Sequence, residues 1–108
     1  MADALSGPDK AVLEQLAKGG DTPTIPREVR IWIYGSKADL DVVSERLSAS
    51  WINAAPEPED DGRWCIFAWR IQEATEEAIL AMSHEIDAAL AETAANYDGW
   101  ETSIEQTN

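Results

Sequence analysis

Few residues of this 108-residue chain could carry out covalent chemistry. It has one histidine, His84, and one cysteine, Cys65. A nucleophile needs a base within reach and an orienting group behind it. His84 falls on a stretch with helical period, off the Ile79/Met82/Ile86 stripe, which places it in solvent. Cys65 alternates with Phe67 along an apolar strand, on the expected core face, the usual setting of an inert thiol. A lone cysteine excludes an internal disulfide, and together with a lone histidine it excludes a cysteine-rich zinc site. Asp60-Asp61-Gly62 lacks the spaced ligands of a calcium loop and reads as a turn. These residues predict no enzyme, no metal site and no cofactor.

Binding chemistry is better represented. The net charge is −13, and it is uneven. Residues 57–108 hold thirteen Asp/Glu against two Lys/Arg, a net of −11, whereas residues 1–56 hold eight against six, a net of −2. Such a field repels nucleic acid and anionic membrane and attracts basic surfaces. Solubility alone would give the same composition. The second feature is a set of aromatics on strand-like segments: Trp32, Tyr34 and Trp64. They suit stacking on RNA bases, contact with a protein (a second copy of the chain included), or packing beneath a helix. Eight basic residues against 21 acidic ones argue against RNA. No apolar run reaches the length of a membrane span, and the first residues lack a signal peptide's basic and apolar regions, so the chain reads as cytoplasmic.

The elements that position these residues follow from periodicity. Residues 8–18 read as a short helix with the stripe Val12, Leu13, Leu16, and residues 21–26 as a proline-containing linker. Residues 29–34 alternate as a strand, with Val29, Ile31 and Ile33 on one face and Arg30, Trp32 and Tyr34 on the other. Ser36 and Asp39 have capping-box spacing at the start of a helix carrying Leu40, Val43, Leu47 and Trp51. Residues 52–58 contain two prolines and belong at a sheet edge; residues 59–62 make a turn. Residues 63–71 form the most apolar strand, with Cys65, Phe67, Trp69 and Ile71 on one face and Trp64, Ile66, Ala68 and Arg70 on the other. Matching the arginines sets Trp64 and Arg70 beside Trp32 and Tyr34. Residues 75–95 form a long helix with Thr75 as N-cap, Glu76 and Glu77 in its first turn and Asn96 as a left-handed stop. Asp98-Gly99 turns the chain into a last strand through Trp100, Thr102 and Ile104. The order is a helix followed by βαββαβ. This predicts an α+β, ferredoxin-like antiparallel sheet with two helices on one face. Residues 1–26 are its N-terminal helix and linker, and residues 27–108 its main body. The opposite sheet face is covered by the N-terminal helix or left to a partner.

Several fragments in this order resemble the regulator of ribonuclease E activity B family (RraB). They are Val12-Leu13-Glu14-Gln15-Leu16 with Gly20-Asp21, then Pro26-Arg27-Glu28-Val29, Trp32 and Tyr34, and Tyr97-Asp98-Gly99-Trp100. The resemblance spans roughly residues 10–105. It implies a ferredoxin-like domain and a non-catalytic protein that binds the basic scaffold of RNase E and restrains RNA turnover. The family's founding type has a long acidic C-terminal tail, whereas this sequence ends at Asn108. Glu76, Glu77, Asp98 and Glu101, around Trp100 as an aromatic anchor, are the expected contacts with a basic partner, and Trp32, Tyr34 and Trp64 form a second expected face. An acidic inhibitor or immunity-type protein for another basic partner is the main alternative; an RRM-like RNA-binding module is the other.

Overall fold

The computed structural model describes residues 5–107, so residues 1–4 of the N-terminal helix-and-linker segment expected over residues 1–26 lie outside it. The elements in chain order are α1 (Gly7–Lys18), β1 (Arg27–Gly35), α2 (Lys37–Leu47), β2 (Glu57–Pro58), β3 (Trp64–Gln72), α3 (Glu76–Leu90) and β4 (Asn96–Thr102). The strands form one antiparallel sheet in the order β2-β3-β1-β4, the ferredoxin-like arrangement. Each helix is opened by a side-chain cap. Ser6, Ser36 and Thr75 accept from the amides of Asp9, Asp39 and Ala78 at 3.2, 3.2 and 3.1 Å. Only half of the expected capping box forms. The Asp39 carboxylate accepts from the Ala94 amide at 3.4 Å, tying the start of α2 to the approach to β4.

The core lies between the sheet and its helices. Val29, Ile31 and Ile33 face Ile66 and Ala68 across the β1–β3 ladder, beneath Leu40, Val43 and Leu47 of α2 and Ile79, Met82 and Ile86 of α3, all fully buried. The register corrects one expectation. Ile31 pairs with Ala68 and Ile33 with Ile66, while Trp32 pairs with Phe67 and Tyr34 with Cys65. Trp64 and Arg70 are therefore on the helix-covered face, and Cys65, Phe67, Trp69 and Ile71 are on the open one. Small Ala68 fits under the helices where Trp69 would not. Arg70 reaches past the core edge, lies 4.1 Å from the Trp51 ring centroid and pairs with Glu85 at 2.8 Å. Trp64 packs against the core from the helix side, with the Lys37 ammonium over its ring.

Two boundaries near the C-terminus also differ from expectation. The long helix ends at Leu90, and Glu92, at φ 65°, takes the left-handed position expected at Asn96. Asp98-Gly99 is a bulge inside β4 rather than a turn before it. Trp32 pairs with Gly99 but Ile33 pairs with Tyr97, so Asp98 is the extra residue. Gly99 sits at φ 109°, a backbone that side-chain-bearing residues resist. The strand then stops at Thr102, and Ile104 lies beyond it.

α1 does not cover the open face. Its apolar stripe joins the core, with Leu16 buried and Val12 and Leu13 packed against it. The linker behind it is fastened by the buried Arg27, which donates to the carbonyls of Ile25 (2.7 Å), Thr22 (2.9 Å) and Ser103 (3.1 Å) and to the Asp21 carboxylate (3.1 Å). No helix among the described residues is long and apolar enough to cross a membrane.

Candidate functional site

The bulge determines what β4 presents to the helices. In an unbroken strand Tyr97 and Trp100, three residues apart, would point to opposite faces. The extra residue Asp98 brings both onto the helix-covered face, opposite Ile33 and Ile31. Trp100 is 7% exposed and donates its indole N–H to Asp9 Oδ1 at 2.9 Å. Asp9 Oδ2 accepts from the Ser83 hydroxyl at 2.6 Å, so one buried carboxylate joins α1, α3 and β4.

Beside this junction is a cavity of about 540 Å³, walled by Val12 of α1, Leu80 of α3 and the bulge. Asp9 and Tyr97 lie in its floor, and the exposed Asp87 and Asp98 stand at its rim with His84; no Lys or Arg among the described residues lines it. The Tyr97 hydroxyl is buried and has no hydrogen-bond partner among the described residues. Burial first, and then the charges of Asp9 and Asp87, push its pKa well above the ordinary value.

The open face carries a second aromatic surface. Trp32 and Phe67 pair directly across strands with ring centroids 4.9 Å apart, and Phe67 and Trp69 are 5.5 Å apart. The Arg63 guanidinium lies 4.7 Å from the Tyr34 ring centroid. Arg30 bridges Glu28 at 2.8 Å and Glu101 at 3.0 Å. A hollow of about 270 Å³ opens between Trp32, Tyr34 and Phe67, with Glu57 and Glu59 at its edge. The Cys65 thiol borders it, its pKa raised by burial and then by Glu59, the reverse of what a thiolate nucleophile requires. His84 lines the cavity on the other side of the sheet.

The residues expected to meet a partner thus fall in four places. Glu76 and Glu77 are exposed in the first turn of α3. Asp98 rims the cavity, with Trp100 buried beside it. Trp32, Tyr34 and Glu101 are on the open face, and Trp64 is on the opposite one. Glu76 lies eleven residues before Asp87, roughly 16 Å along the helix axis. The sequence reading missed Asp9, Ser83 and Asp87. Leu80, Ser83 and Asp87 recur at three- and four-residue steps beside the core stripe, a second helical face that needed something to meet.

No curated protein matches this chain. The family model for regulator of ribonuclease activity B (RraB) matches residues 8–102, a span that runs from the start of α1 to the end of β4 and includes the bulge, and the chain belongs to that family.

Proposed function

We propose that this protein is a non-catalytic, cytoplasmic regulator that binds a basic protein segment, with the scaffold region of RNase E as first candidate, and thereby restrains RNA turnover. The observation that carries this reading is the state of its carboxylates. Glu76, Glu77, Asp87 and Asp98 take part in none of the six ion pairs among the described residues. With residues 57–108 at a net of −11, they leave an uncompensated field on the α3 and β4 side. Family membership agrees with a regulator of a ribonuclease. Cys65 and His84, on opposite sides of the sheet, supply no nucleophile–base pair.

Opposite charge steers encounter, so association should be fast and should slow with salt, because exposed charges are screened beyond about 10 Å at 0.1 M ionic strength. Surface binding kinetics against the purified scaffold segment at several salt concentrations test this. Reversing Glu76 and Glu77 should slow association. Absence of binding at low salt would refute the RNase E assignment. Binding insensitive both to salt and to the reversal would refute the electrostatic mechanism. An acidic inhibitor of a different basic protein is the alternative within the same chemistry.

A second reading rests on the open face. Trp32 and Phe67 stack on the two central strands, with Arg30 and Arg63 nearby, as in a base-stacking platform. The net charge opposes it. RNA held as tightly as protein in the same assay would put this reading first.

A further inference from the structure

We propose that the cavity between α1, α3 and the bulge of β4 is a receptor for one arginine side chain of the basic partner, an inference that rests on the reading of the chain as a binder of basic segments. At about 540 Å³ the cavity falls in the range of built ligand sites and admits a guanidinium with its stem. Its chemistry selects a cation. Among the described residues three carboxylates line it, Asp9 in the floor and Asp87 and Asp98 at the rim, and no Lys or Arg does. An anion would meet repulsion from all three. A neutral apolar group would take the Asp87 and Asp98 carboxylates out of water and give them no partner.

The arrangement favours guanidinium over ammonium. The site offers acceptors at more than one angle, the rim carboxylates of Asp87 and Asp98. Arginine carries five N–H donors in a planar fork and no acceptor, whereas an ammonium has three donors at a point. Val12 and Leu80 give the methylene stem an apolar wall. The site is also rigid where it must be. Asp9 is held by the Trp100 indole and the Ser83 hydroxyl, so the charge in the floor is fixed before a ligand arrives.

The test is a ¹⁵N NMR titration of the full chain with acetyl-Gly-Arg-Gly-amide, run beside the lysine and citrulline peptides and a twenty-residue arginine-rich peptide. The receptor predicts saturable shifts confined to the amides of residues 83–87 and 97–100. It ranks arginine above lysine, with no binding of citrulline. Asp87→Asn should weaken the arginine peptide about tenfold, since a charge-assisted hydrogen bond is lost, while Glu45→Gln, exposed on α2 and outside the lining, leaves it unchanged. Asp98→Asn should weaken it as well, and its amide spectrum reports whether the fold is intact. Shifts that are absent, scattered along α3, or equal for arginine and lysine would overturn the receptor. If the long peptide binds wild type and Asp87→Asn equally, the receptor falls and the basic-partner reading stands. If the long peptide binds neither, both fall.

Discussion

Arg27→Met is the perturbation whose cost can be worked most directly from the structure. Arg27 is 4% exposed and makes four hydrogen bonds, three to carbonyls of residues 22, 25 and 103 and one to Asp21. The Asp21 side chain is 1% exposed. Its Oδ1 also accepts from the Glu105 amide at 2.8 Å, and its Oδ2 has no partner among the described residues. Methionine fills much of the volume but leaves this carboxylate charged and buried. Breaking a buried pair from one side costs about 3–5 kcal/mol, a large share of the roughly 5–15 kcal/mol that holds a domain together. For a domain of this size that lowers the melting temperature by roughly 15–30 °C. Calorimetry at fixed protein concentration, with far-ultraviolet circular dichroism as a second probe, measures it. Asp21→Asn added to Arg27→Met removes the stranded charge and should recover at least half of the loss. Arg27→Lys should recover little, because one ammonium cannot span four acceptors spread over the linker and the C-terminal stretch. A melting temperature within a couple of degrees of wild type for Arg27→Met, or a double variant no better than the single, would refute this account of the knot between linker and C-terminus.

The remaining predictions concern β4. Gly99→Ala meets no atom within 4 Å, so its cost is backbone strain alone, about 1 kcal/mol in urea unfolding; an unchanged midpoint would show that the bulge does not need glycine. Tyr97→Phe removes a buried hydroxyl that has no partner among the described residues and should raise stability by about 1 kcal/mol; a loss of stability would mean the hydroxyl is satisfied. Because burial raises the Tyr97 pKa, the folded protein keeps a proton that the unfolded chain releases. That part of the stability is intact below about pH 10 and declines above it, so the alkaline slope of stability should be shallower in Tyr97→Phe. Trp100→Phe removes the indole hydrogen bond to Asp9 and should speed proteolytic cleavage near α1, read by limited digestion and mass spectrometry; an unchanged digest would mean the indole does not hold the helix.

Most of the architecture was legible because the two periods are clean. Val29, Ile31 and Ile33 alternate, and Ile79, Met82 and Ile86 recur at helical steps, and each set is buried where its pattern implies. Alternation could not say which face of β3 is the core, because both faces are apolar. That depends on pairing with β1, where Arg70 stands opposite Val29 and not Arg30. The letters Asp-Gly serve a turn and a bulge equally well, and the difference is made by the ladder that Tyr97 finds on Ile33. The cavity was the least visible feature. It depends on α1 docking against α3, and the polar stripe of α3 that receives it resembles a solvated helix face until Asp9 is seen against Ser83.

Both margins of the sheet are closed to a further strand. On one side β2 is two residues long and includes Pro58, which has no amide hydrogen to give. On the other, the bulge at Asp98 interrupts the outer row of hydrogen-bonding groups on β4, and Asp98 and Glu101 set carboxylates along it. An incoming extended segment therefore has no continuous backbone template to zip onto. For the basic segment proposed as partner, capture would proceed through side chains reaching carboxylates and would leave the segment's backbone unpaired. The same closure disfavours copies of the chain adding to one another edge to edge, the route by which open sheets aggregate.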